Sequence, residues 1–114
     1  APFAPSNAEP MEPPAIYYAY WQETEGCSHL IGDYYNVRWY VVPGASFATP
    51  NLDHAAGYWM PNNNIIYIAE YYVNSPRVVR HEMLHSLLNE GGHYQHEWRM
   101  CYDIITLGTI NIGR

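Results

Sequence analysis

Residues 75–93 read SPRVVRHEMLHSLLNEGGH, and this stretch gives the clearest indication of the fold. Ser75 is a residue type that caps helix N-termini, and Pro76 fits the first helical position. Gly91 and Gly92 can end a helix because glycine readily adopts the left-handed conformation. The stretch therefore predicts one helix that begins after Ser75 and runs to the two glycines.

Two histidines on this helix are spaced to bind one metal ion. His81 and His85 are four residues apart, so their imidazoles lie on the same helical face. Zinc accepts imidazole nitrogen, and a catalytic zinc commonly has three protein ligands and a water. Glu82 is offset by about 100° from His81, which places it beside the zinc-activated water as a general base. We therefore predict a catalytic site with one Zn²⁺, ligands His81 and His85, and Glu82 as the catalytic residue.

The segment VVRHEMLHSLLNEGGH, residues 78–93, resembles the active-site helix of the zincin metallopeptidases. The resemblance implies an α+β domain with a twisted, mostly antiparallel sheet, a backing helix and an HExxH active-site helix. It also implies that an antiparallel strand at the rim of the cleft pairs with the substrate as an extra strand. We expect the strand at residues 65–70 to align the peptide in this way.

The third zinc ligand separates the zincin subfamilies. Metzincins continue as HExxHxxGxxH, and this chain has Leu88 and Gly91 where that motif needs glycine and histidine. The chain instead resembles short zincins in which a Gly-His pair follows the motif and an aromatic residue, here Trp98, comes shortly after. A chain reversal at the glycines would bring His93 back towards the metal, so His93 is the predicted third ligand.

Two other residues compete for the same role. His96 is close to His93 in the sequence, and Glu97 is the late carboxylate that a gluzincin would use. A histidine that does not bind the metal would be a surface residue or a donor to a ligand. His29 and His54 are isolated and are interpreted as surface or hydrogen-bonded residues.

The remaining elements are predicted from local patterns. Pro-rich residues 1–13 are interpreted as an extended arm, and residues 14–114 as one catalytic domain. The pattern predicts a helix at residues 14–25 that Gly26 ends, strands at 37–42, 57–60 and 65–70, and a short last strand or loose end at 104–114. The second and third strands are joined by a Pro-Asn-Asn-Asn turn and predict a β-hairpin.

Composition excludes several classes of partner. The net charge is −6 and no lysine is present, which argues against binding to nucleic acid. No apolar run is long enough to span a membrane. Cys27 and Cys101 are predicted to form a disulfide, which favours a secreted or periplasmic protein whose signal peptide has been removed. We expect a monomer that acts on a peptide or protein.

These observations predict a secreted zinc metalloendopeptidase with a shallow cleft lined by tyrosine and tryptophan. One alternative is a non-catalytic, zinc-containing module that binds peptides or carbohydrates through exposed rings. The candidate rings for that role are Tyr34, Tyr35, Trp39, Tyr40, Tyr58 and Trp59. A second alternative is a zinc amidase that acts on cell-wall peptides and shares the same metal site. Glu82 favours an enzyme, because a structural zinc needs no carboxylate beside its first histidine.

Overall fold

The computed structural model describes residues 3–105, in which a four-stranded sheet packs against two long helices. In chain order the elements are β1 (Glu9–Pro10), α1 (Ile16–Ser28), β2 (Arg38–Val42), β3 (Gly57–Met60), β4 (Ile65–Ala69), α2 (Pro76–Leu88), α3 (Glu97–Met100) and α4 (Tyr102–Ile105). Single 3₁₀ turns precede β2 and α2. The predicted α+β class is confirmed.

The strand order in the sheet is β1-β2-β4-β3. β1 with β2 and β3 with β4 are antiparallel, which confirms the predicted hairpin, whereas β2 and β4 are parallel. The sheet is therefore mixed. β4 has a neighbour on each side, so both of its edges are already hydrogen-bonded. The prediction that the strand at residues 65–70 aligns a peptide is wrong, and β3 is the edge strand on that side.

The main core lies between the sheet and helices α1 and α2. Large apolar side chains from both layers meet there and are removed from water, which is the main favourable term in folding. They include Tyr17, Trp21, Trp39, Trp59, Ile66, Ile68, Val79 and Met83. The buried Tyr17 hydroxyl donates a hydrogen bond to the carbonyl of Val73, just before α2 begins. This bond ties the start of α2 to α1.

The N-terminal arm covers part of the opposite face of the sheet. Its residues Glu9 and Pro10 form β1 at the sheet edge, where proline is tolerated because an edge strand can spare a donor. Phe3 packs edge-on against Tyr58 and Tyr67, with ring centroids 5.3 Å and 6.3 Å apart. The arm is therefore packed against the sheet.

Neither long helix ends at the glycine that the sequence predicts, because α1 ends later and α2 ends earlier. α1 continues through Gly26 and Cys27 and ends at Ser28; the next residue, His29, adopts a left-handed conformation and donates its N–H to the Glu25 carbonyl. Gly26 does not stop the helix because its φ is not left-handed, and His29 takes that role. The predicted end of α1 is therefore wrong.

The predicted start of α2 is confirmed, and its predicted end is wrong. The Ser75 hydroxyl accepts a hydrogen bond from the Val78 N–H, and Pro76 occupies the first turn. The helix ends at Leu88, because Asn89 has a φ of 57° and donates its N–H to two carbonyls of the last turn. Asparagine tolerates this left-handed conformation better than most residues.

Cys27 and Cys101 form the predicted disulfide, with their Cα atoms 5.1 Å apart. It joins the last turn of α1 to the end of α3. The predicted strand or loose end at residues 104–114 begins inside α4, and residues 106–114 lie outside the described part. None of the helices between residues 3 and 105 has the length and apolar character needed to cross a membrane.

Candidate metal centre

Helix α2 presents His81 and His85 on one buried face. The two side chains are 6% and 1% exposed, and their ring centroids are 5.1 Å apart. This arrangement follows from the spacing of four residues on a helix. The positive charge of Arg80, the residue before His81, is balanced by Glu23 of α1, with which it forms an ion pair at 2.9 Å.

His93 reaches these two rings from the segment that follows α2. The left-handed Asn89 turns the chain at the helix end, and the Glu90 N–H then bonds to the His85 carbonyl. As a result, His93 Nε2 lies 3.0 Å from His81 Nε2 and 3.1 Å from His85 Nε2. The chain reversal predicted at the glycines does occur, but it begins at Asn89.

The three nitrogens are close enough to bind one ion. A tetrahedral zinc with Zn–N bonds of 2.0–2.1 Å separates its ligand nitrogens by about 3.3 Å. The two observed separations are slightly shorter than that, and the ligand atoms of all three histidines lie within 4.8 Å of one another. Imidazole nitrogen is a good ligand for zinc, copper, iron and nickel. The three histidines could therefore hold a metal ion of this group.

A backbone contact orients His85. Its Nδ1 lies 2.8 Å from the carbonyl oxygen of Glu90. A carbonyl can only accept, so Nδ1 carries the proton and the lone pair of Nε2 points towards His81 and His93. This contact is typical of metal-binding histidines, which usually donate their other ring N–H to an oxygen.

Trp98 of α3 contacts all three histidines. Its ring centroid is 4.7 Å from that of His81, 4.6 Å from that of His85 and 4.7 Å from that of His93. The side chain is 1% exposed, and its Nε1 donates to Gln95 Oε1 at 3.1 Å. Trp98 thus forms one wall of the site, next to every nitrogen-bearing ring.

Glu82 is 0% exposed and packs against the edge strand β3. A methyl group at Gly57 would lie 2.9 Å from both Cγ and Oε2 of Glu82. Burial of a carboxylate costs free energy, and such groups are concentrated at functional sites. The predicted catalytic residue therefore lies between the histidine helix and the strand at the edge of the sheet.

The competing ligands lie elsewhere among the described residues. His96 is exposed, and its Nε2 lies 3.5 Å from Glu97 Oε2. Neither residue belongs to the histidine group that could hold a metal. His29 and His54 are exposed, as the sequence predicts; His29 ends α1 and His54 contacts Ser46.

Two contributors to the site were not predicted from the sequence. The Glu90 carbonyl belongs to the backbone, so no residue pattern indicates it. Gly57 did have a signal, because glycine within a strand often marks the close approach of another group.

No family model, curated protein or solved structure matches this chain.

Proposed function

We propose that this chain is a zinc metallopeptidase similar to the zincins, with His81, His85 and His93 as ligands of one Zn²⁺. The observation that carries the proposal is the convergence of three imidazole Nε2 atoms, two of them from a helix on which a buried glutamate directly follows the first histidine. A bound zinc would supply a Lewis acid that polarises a carbonyl and acidifies water.

In this proposal Glu82 moves the proton. Its carboxylate oxygen accepts a proton from the attacking water and then delivers it to the leaving amine. Glu82 is well placed for this because it belongs to the ligand helix and contacts β3 at Gly57. We infer that an extended peptide lies along β3, since edge strands are where peptides add to a sheet.

A small cavity beside His85 supports a peptide substrate. It has a volume of about 140 Å³ and is lined by Asn51, Tyr58, Trp59, Pro61, His85 and Gly91. This volume is similar to that of a cavity that binds benzene. Among residues 3–105, no aspartate, glutamate, lysine or arginine lines it, so it favours an uncharged side chain of the substrate. We infer a preference for apolar residues next to the cleaved bond.

Few of the six rings that the sequence suggests for a binding module are exposed in the structure. Tyr34, Trp39 and Trp59 are at most 9% exposed, so little of each ring is available to a ligand. Tyr35 and Tyr40 are more accessible and line a groove of about 420 Å³ beside the N-terminal arm, which Tyr34 and Trp39 also border. This groove is the observation that favours a peptide- or sugar-binding module, and it lies on an element different from α2. A cell-wall amidase would use the same metal site and differ only in its substrate.

The disulfide supports a location outside the reducing cytosol, because such bonds persist in oxidising compartments. We therefore propose that the enzyme is secreted or periplasmic.

The Glu82→Gln variant tests the proposal. We expect the variant to bind one zinc per chain, as the wild type does, and to lose peptide hydrolysis by about 10²–10⁴-fold, the usual contribution of a general base. Metal analysis and cleavage of a quenched fluorescent protein substrate measure the two quantities.

Glu90→Gln is the matched control, because Glu90 contacts His85 through its backbone carbonyl and its side chain is exposed. It should retain both zinc and activity. Full activity in Glu82→Gln would exclude the proton-transfer role. A wild-type chain that binds sugar or peptide without cleaving it would favour the binding module.

A further inference from the structure

Gly57 occupies a strand position where glycine has no backbone reason to be. It lies in β3, and among the described glycines only Gly44 has a left-handed φ. Gly57 is the first residue of β3 and pairs with Ile68 of β4. Glycine at a paired strand position is unfavourable, because it costs more conformational entropy and adds no side chain to the packing. An alanine at this position would satisfy the backbone equally well, so the reason for glycine must lie in its surroundings.

The surroundings of Gly57 are the side chain of Glu82. A Cβ at position 57 would lie 2.9 Å from Glu82 Cγ, 2.9 Å from Oε2 and 3.2 Å from Cδ. Cβ atoms in proteins essentially never approach a heavy atom outside their own and adjacent residues to within 3.0 Å. Any residue larger than glycine would therefore have to push the carboxylate away.

A larger residue at position 57 would displace the Glu82 carboxylate and leave the backbone of β3 and α2 in place. The atoms in conflict all belong to the Glu82 side chain, whereas β3 is held by its pairing with β4 and α2 by the core. All three imidazoles pack against Trp98, and His85 also contacts the Glu90 carbonyl. A methyl group at position 57 is thus expected to displace Glu82 and leave the three imidazoles in place.

We propose that Gly57 is a positioning residue, which sets where the Glu82 carboxylate sits by leaving space for it against the edge strand. This inference rests on the proposed function for its effect on catalysis, but the contact itself does not. Gly57 contacts Glu82 and takes no part in the proton transfer.

The test is Gly57→Ala, compared with Gly26→Ala as the matched control. Apart from its own stretch of helix, a Cβ at Gly26 would have no atom of the described residues within 4 Å, so the control changes a glycine without a steric conflict. We expect Gly57→Ala to lower kcat by about 10²-fold, because a displacement of about 1 Å at a reacting group has that effect. KM and zinc content should stay within twofold of wild type, and Gly26→Ala should retain full kcat.

A stability cycle separates this proposal from the proposed function. If the conflict is with Glu82, any loss of Tm caused by Gly57→Ala in the wild-type background should disappear when Glu82 is replaced by alanine. A crystal structure of Gly57→Ala should show the carboxylate displaced by about 1 Å and the three Nε2 atoms unmoved. These two measurements need no turnover, so they remain decisive even if the wild-type chain cleaves no peptide.

Four results would overturn the proposal. The first three are full kcat in Gly57→Ala, an unmoved Glu82 in its crystal structure, and a Tm loss that persists in the Glu82→Ala background. Loss of zinc from folded Gly57→Ala would also overturn it, because the residue would then act on the ligands instead of the carboxylate.

Discussion

At the residue scale, the proton on His85 is determined by the path of the backbone. The Glu90 carbonyl accepts from Nδ1, and Glu90 is held there because its own N–H bonds to the carbonyl of His85. The side chain at position 90 takes no part. A substitution at position 90 should therefore leave the imidazole oriented, provided that the chain still turns at Asn89.

Replacement of His93 and of His96 distinguishes the two candidate ligands. We expect His93→Ala to weaken zinc binding by more than about 100-fold, because even residues that only contact a ligand contribute 10–100-fold. His96→Ala should change the affinity little, since His96 is exposed and lies near Glu97. Competition with a chromophoric chelator measures both dissociation constants. Equal losses in the two variants would contradict this assignment.

At the element scale, the short helix α3 positions the ring of Trp98. It has four residues, which is too short for a stable isolated helix, so packing must hold it. Trp98 provides that packing, together with Leu84 of α2, Cys101 and Ile105. The same ring contacts the three histidines. The stability of α3 and the geometry of the site are therefore coupled.

Trp98→Leu tests that coupling. We expect zinc affinity to fall by about 10–100-fold, as for other residues that orient metal ligands, because Leu cannot contact all three rings. Trp98→Phe retains an aromatic face and should lose less. The absorption spectrum of the Co²⁺ complex reports the ligand geometry directly.

Trp21→Leu is the control for lost core packing, since Trp21 is buried against Tyr34 in the main core. Both leucine variants should lower the free energy of unfolding. Only Trp98→Leu should alter the cobalt spectrum, and an altered spectrum in both would mean that general destabilisation is responsible.

At the scale of the whole molecule, the Cys27–Cys101 disulfide encloses most of the described fold in one covalent loop. The disulfide joins Cys27 of α1 to Cys101, which follows the helix that carries Trp98. The two cysteines are 74 residues apart, so the bond closes a loop that contains the whole sheet apart from β1 and all of α2. It restricts the unfolded chain and also anchors the segment that holds His93.

Removal of the disulfide should therefore affect both stability and metal binding. We expect Cys27→Ala/Cys101→Ala to lower the free energy of unfolding by about 4 kcal/mol, the value for a loop of this length. Zinc affinity should fall as well, because the segment from His93 to Trp98 loses its anchor. Urea unfolding and chelator competition measure the two effects, and unchanged affinity in a folded variant would show that core packing alone holds that segment.

Local patterns predicted the features that depend on short stretches of chain. The helical spacing of His81 and His85 requires only one turn of helix, and Ser75-Pro76 marks where that helix begins. The β3–β4 hairpin follows from two β-rich runs joined by a turn. The ends of α1 and α2 were missed because His29 and Asn89, and not the glycines at 26 and 91, adopt the left-handed conformation that ends each helix.

Short-range patterns in the chain were enough to place the candidate site residues: two imidazoles and a carboxylate on one helix, with a third histidine after it. Long-range packing was needed to establish that His93 and not His96 meets the other two, that β3 is the edge strand, and that Gly57 lies against Glu82. The physical reason is the range of the interactions. Helical spacing acts over four residues, whereas the parallel pairing of β2 with β4 and the packing of Trp98 join segments that are far apart in the chain.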